Sequence, residues 1–169
     1  MDWFRRGGSN TTETPPAPDA DPTRSNDESD SPEALLIRER ELVQFINRNA
    51  GKLPVEAVVI SRGITDTIRG VVDTASEREL DIYAVVSING IIKDYLPTTL
   101  RTYLNLDPGL TERVGPSGRT PRSGLREQLD ALSSAADDLL RAAQAHDVDA
   151  LSTQGNFLRT KFSRSDLDL

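Results

Sequence analysis

The sequence predicts an all-α protein, an antiparallel bundle of five or six helices over residues 32–163 behind a disordered N-terminal tail. Three observations carry that expectation. Apolar residues recur every three or four positions through most of the chain after residue 32, the period of a helix with one buried face. Composition breaks at Ser31-Pro32, where a proline-, serine- and acid-rich stretch gives way to these periodic segments. Hydrophobic residues are only 36% of the 169 and aromatics 5%, the shortfall expected when part of a chain does not fold.

Residues 1–31 form the tail. Between positions 9 and 31 the only apolar side chains besides proline are Ala17 and Ala20. Such a stretch cannot bury enough surface to offset about 1–2 kcal/mol of backbone entropy per residue. The net charge of −7 is concentrated here: residues 1–32 hold 7 acids and 3 arginines, while the remainder holds 20 acids and 17 bases.

The first helix starts at Pro32, with Ser31 as N-cap, and Glu33 complements the positive helix end. Its stripe is Leu35, Leu42, Phe45 and Ile46, and it stops near Asn49, with Gly51 as the residue just past the end. A second helix opens at Pro54 on the stripe Ala57, Ile60, Ile64, Ile68, Val71 and Ala75, widened by Val55, Val58, Val59 and Val72, so it is expected at the centre of the bundle. A buried strand at Val58-Val59-Ile60 is the competing reading, since β-branched residues favour sheet. Asn89-Gly90 between apolar runs is a strong hairpin signal. Against it, Leu80, Tyr83/Ala84, Ile88, Ile91 and Tyr95 keep a helical interval, so a third helix is expected, broken or kinked by Pro97. A short helix with Leu100, Tyr103 and Leu104 on one side follows. Residues 107–124, rich in proline and glycine, read as a mobile loop. Leu125, Leu129, Leu132, Ala136, Leu139 and Ala143 then mark one helix; Val148, Leu151, Gly155, Leu158 and Phe162 mark another, capped by Asp147. The short turn at His146 makes the two a helical hairpin. Residues 164–169 are a C-terminal tail.

Composition narrows the function. The net charge of −7 argues against nucleic acid, whose binding requires a clustered positive surface. With no cysteine, disulfide, thiolate-metal and cysteine-nucleophile chemistry are all excluded. No apolar window reaches about 18 residues, and no apolar core follows Met1-Asp2-Trp3-Phe4-Arg5-Arg6, so neither a membrane span nor a secretory signal is expected. A cytoplasmic protein follows as the expectation.

Residues able to carry chemistry are sparse. His146 is the sole histidine, placed where a helix C-terminus would stabilise its charged form. Asp137-Asp138 and Glu77/Glu79/Asp81 are acidic, but adjacent helical residues do not converge on one point. The loop at 115–124 contains no phosphate-cradling Gly-x-x-x-x-Gly-Lys-Ser/Thr pattern. No catalytic, metal-binding or cofactor-binding residue is therefore assigned. Trp3-Phe4-Arg5-Arg6 concentrates the residue types that anchor interfaces. Tyr95 and Tyr103, crowded with Leu100 and Leu104 on a short helix, are the other candidate partner-binding residues, because a rim phenol keeps its hydroxyl wet while its ring meets a partner.

The segment Leu96-Pro97-Thr98-Thr99-Leu100-Arg101-Thr102-Tyr103-Leu104 resembles the Leu-Pro-x-Thr-Leu-x-x-Tyr-Leu pattern of XpaC-like proteins, named for 5-bromo-4-chloroindolyl phosphate hydrolysis. Leu125-Arg126-Glu127-Gln128-Leu129 and Asn156-Phe157-Leu158-Arg159-Thr160-Lys161-Phe162 follow in matching order, so the likeness spans about Leu80 to Phe162. Members of that family often carry N-terminal membrane segments, and this sequence has none. The resemblance implies a helical partner of toxic-anion (tellurite-type) resistance proteins. The family name implies phosphate-ester hydrolysis, yet the matched positions contain no nucleophile or metal cluster. The expected function is a non-enzymatic adaptor for protein partners; a phosphate-ester hydrolase and a peripheral membrane-surface protein are the alternatives.

Overall fold

The computed structural model describes residues 30–76, 79–116 and 118–162. These residues are helical with connecting turns, and no strand occurs among them. The helices are α1 (Pro32–Asn49), α2 (Val55–Asp73), α3 (Ile82–Asn89), α4 (Leu96–Leu104), α5 (Pro121–Ala145) and α6 (Val148–Phe162). A π-helical segment, Gly90–Tyr95, joins α3 to α4, so the six helices make five rods. Consecutive rods alternate in direction. Arg62 reaches Asn47 and Arg69 reaches Glu39, which sets α2 antiparallel to α1. Arg122 meets Glu56 and Thr67 meets Asp137, so α5 lies parallel to α2. The tail over residues 1–29 and the C-terminal residues 163–169 lie outside the described residues.

Local chemistry sets most of the boundaries. The Ser31 hydroxyl accepts from the Ala34 N–H at 3.2 Å, and Pro32 occupies the first turn, where no N–H is needed. Asp81 caps α3 by accepting from Tyr83 N–H at 2.8 Å, and Asp147 caps α6 by accepting from Ala150 N–H at 2.9 Å. Thr120 and Ser123 form a reciprocal capping box at the start of α5. The 107–124 stretch is therefore not a loop throughout. It contains a 3-10 turn at Pro108–Leu110, capped by Asp107, and the first residues of α5. Arg122 pins it, pairing with Glu56 at 2.7 Å and Glu112 at 3.0 Å.

The core is aliphatic. Leu35, Ile46, Ile64, Ile68, Ile88, Ile91, Leu96, Leu100, Leu129, Leu132 and Leu139 are fully enclosed, and side chains of this size contribute about 1.5–3 kcal/mol each on burial. Two expectations about α1 and α2 fail. Gly51 lies in a 3-10 turn (Ala50–Lys52) and not in the left-handed conformation, because Asn49 Nδ2 donates to the Phe45 carbonyl and closes the helix end instead. Val55 and Val59 do not widen the buried stripe of α2; they are 76% and 65% exposed.

The third rod contains the most informative departure. Pro97 does not break it. Within the π segment the Leu96 N–H bonds to the Ile91 carbonyl five residues back, where an α-helix would reach four. The wider turn sits just ahead of Pro97, which has no N–H to give and whose ring would otherwise press on the carbonyl four residues earlier. The most deeply enclosed aliphatic side chains then run Ala84, Ile88, Ile91, Leu96 and Leu100, each at most 1% exposed, with one step of five among steps of three and four. Tyr95, expected on the stripe, yields its place to Leu96.

Asn89-Gly90 is no hairpin. A Cβ at Gly90 would lie 2.7 Å from Cε2 of Tyr95, so glycine is present to admit that ring.

Candidate functional site

The tyrosines expected to face a partner are placed differently from one another. Tyr103 is 7% exposed and belongs to the same buried core as Leu100, so it is not a rim residue. Leu104 is partly buried against the same core. Tyr95 is half-buried, its ring tilted against Phe162 with centroids 5.5 Å apart, so it fastens the end of α6 to the third rod. Burial pushes its phenol above the ordinary value, Asp94 adds to the rise, and Arg159 opposes it. Trp3, Phe4, Arg5 and Arg6 lie outside the described residues.

Of the acidic candidates, Asp81, Asp137 and Asp138 have local partners, and Glu77 lies outside the described residues. Asp137 accepts from the Thr67 hydroxyl at 3.3 Å, while Asp138 pairs with Arg141. Glu79, Asp81 and His146 line a cavity of about 150 Å³ between the start of α3 and the α5–α6 turn, with Asp81 occupied as a cap. His146 itself is the left-handed residue that ends α5, at φ 54°, its N–H bonded to the Ala142 and Ala143 carbonyls. No group of three or more metal-ligating side chains is gathered among the described residues.

A different surface is brought together by the fold. Between α1 and the third rod runs a groove of about 700 Å³, lined by Arg38, Glu41, Leu42, Gln44, Phe45, Arg48, Ile92, Lys93, Pro97 and Arg101. The two rods are parallel here: Arg38 meets Asn89 at one end, and Arg101 lies over the Phe45 ring, 5.2 Å from its centroid, at the other. Leu42, Ile92 and Pro97 are buried and Phe45 half-buried, which gives an apolar floor. Arg48, Lys93 and Arg101 are exposed along its rim. Among the described residues none of these three enters an ion pair. Glu41 is the one acid of the lining, so four cations face one carboxylate on a protein whose net charge is −7.

The sequence carried a faint signal for this site. Arg38, Phe45 and Arg48 are seven and three apart, and Lys93, Pro97 and Arg101 are spaced by four; each set shares one helical strip. What the sequence could not show is that the two strips face one another.

An aromatic and aliphatic floor rimmed by guanidinium and ammonium groups suits an extended or helical segment bearing carboxylates around an apolar side chain. Arginine pairs carboxylates bidentately and also stacks on rings. No family model, curated protein or solved structure matches the chain.

Proposed function

We propose that this protein is a non-enzymatic adaptor that docks an acidic segment of a partner protein in the groove between α1 and the third rod. The observation that carries this reading is the concentration of four cations over an apolar floor on an otherwise acidic molecule. Charge of that sign steers an acidic partner, and the recessed floor supplies the apolar contact that holds it. The resemblance to XpaC-like proteins runs through Pro97, a groove residue, and supports toxic-anion (tellurite-type) resistance proteins as the setting. An anionic membrane is a poorer fit. Its surface repels the acids that dominate the sequence, and the groove's apolar residues are recessed between helices where a bilayer cannot reach them.

The test is titration of the full chain with a fluorescein-labelled twelve-residue peptide rich in glutamate around a central Leu-Phe. Binding is expected to weaken by about a hundredfold for Arg48→Glu/Arg101→Glu, about tenfold for each disrupted charge-assisted contact. Equal binding by the variant refutes the docking site. So does co-sedimentation of the chain with phosphatidylserine vesicles in place of peptide binding. Metal-dependent turnover of nitrophenyl phosphate, abolished by Asp137→Asn/Asp138→Asn, would replace the adaptor reading with the hydrolase one.

A further inference from the structure

We infer that the groove has an occupant within the same chain: residues 19–29, the acidic stretch immediately preceding the described structure, dock there and compete with the partner segment. The inference rests on the groove being a docking surface for acidic segments. Asp30 supplies the first observation. Its Oδ1 accepts from Asn89 Nδ2 at 3.0 Å and lies 3.6 Å from Nη1 of Arg38, which donates in turn to Asn89 Oδ1 at 2.9 Å. Arg38 lines the groove, so the chain enters the described structure at one end of it, already held there by a carboxylate. Asp30 is thus the first acid of the stretch to find its cation.

Charge and length agree with that anchor. Residues 19–29 contain Asp19, Asp21, Asp27 and Glu28 against Arg24 alone, while beyond Arg38, already beside Asp30, the groove offers Arg48, Lys93 and Arg101 against Glu41. From Arg38 to Arg48 is ten residues of α1, about 15 Å along the axis. Eleven extended residues reach up to about 36 Å, so the stretch can turn back at Asp30 and pass the whole rim. Pro22 restricts the backbone towards an extended form, which lowers the entropy lost on docking. A tethered ligand acts at high effective concentration, so modest pairing suffices to fill the groove.

The absence of cysteine makes a clean test available. A nitroxide is attached to the full-length chain through Ser25→Cys, and amide signals are compared at about 50 mM and about 500 mM salt, where charge attraction is screened to a few ångströms. Docking predicts about twofold or greater broadening of Phe45, Arg48 and Arg101 at low salt, relative to the exposed residues Ile37 and Val86. That preference should vanish at high salt and in Arg48→Glu/Arg101→Glu. Broadening that spreads evenly over all five positions, or that ignores both salt and charge reversal, overturns the inference. In parallel, full-length Asp19→Asn/Asp21→Asn/Asp27→Asn/Glu28→Gln is expected to bind the acidic peptide about fivefold more tightly than wild type, because its internal competitor is weakened. Equal affinity of the two chains also counts against docking of residues 19–29. If neither chain binds the peptide while the groove-specific broadening persists, the internal contact stands and the adaptor reading fails.

Discussion

Glu39 is a carboxylate with no exposure at all, and only one of its oxygens is satisfied. Oε2 accepts from Arg69 Nη2 at 2.7 Å, whereas Oε1 has no hydrogen-bond partner in the structure. The bond and the charge of Glu39 hold the Arg69 guanidinium more firmly protonated than an ordinary arginine. Replacing Arg69 by Met leaves the carboxylate enclosed without its counter-charge. Breaking a buried pair costs about 3–5 kcal/mol. Here Arg69 is 48% exposed, so water can enter the vacated place, and about 2–3 kcal/mol is the expected loss. In urea, with a slope near 2 kcal/mol/M, the midpoint should fall by about 1 M. The reverse change, Glu39→Met, should cost less, because the guanidinium can turn to solvent. The double variant should return to within about 1 kcal/mol of wild type, since no charge remains buried. An unchanged midpoint for Arg69→Met, or a double variant as unstable as the single one, would refute the reasoning.

Three further outcomes follow from local geometry. Gly90→Ala gains about 1 kcal/mol in helix propensity but drives a methyl into the Tyr95 ring, so thermal unfolding should show no net gain in the wild-type chain, while the same change made in Tyr95→Ala should raise the unfolding temperature above that of Tyr95→Ala alone. His146→Gly relieves a left-handed non-glycine residue and should stabilise by about 0.5–1 kcal/mol, read as a higher urea midpoint. The hydrogen bond from Arg122 lowers the pKa of Glu56 below 4.5. Its stabilising effect is therefore present above the unfolded-state value and lost as pH falls through the lowered one. Carboxyl carbon titration of Glu56 should accordingly shift back to the ordinary range in Arg122→Gln.

The helical fold was legible because its signals are local and redundant. Ser31-Pro32, Asp147 and the leucine series from Leu125 to Leu139 each state a helix boundary or face within a few residues. The third rod was harder. Asn89-Gly90 carries a genuine turn preference, and only the Tyr95 ring, five residues along the chain, explains why a glycine stands there. Helical periodicity at a constant pitch assigns Tyr95 to the stripe, and phenol chemistry sets Tyr103 at a rim; one wide turn puts Leu96 in the place of Tyr95, and Tyr103 is buried in the same core as Leu100. Val55 and Val59 misled for another reason, since β-branched surface residues are apolar without being buried. The groove was not legible, because Phe45 and Arg101 are 56 positions apart and their meeting is a property of packing alone.

The wide turn between Gly90 and Tyr95 also limits how the chain can vary in length. A turn closed five residues back holds one residue more than a turn closed four back. Deleting one residue there would restore the α-helical ladder and set Leu96, Leu100 and Tyr103 four, eight and eleven positions after Ile91, still on the buried stripe. The cost would fall on Pro97, whose ring would then press on the carbonyl four residues back. Inserting a residue has no such outlet: it would rotate everything downstream by about 100° and carry Arg101 off the Phe45 ring. The rod is thus a gear already carrying one extra tooth: residues 90–95 should tolerate the loss of one residue far better than the gain of one.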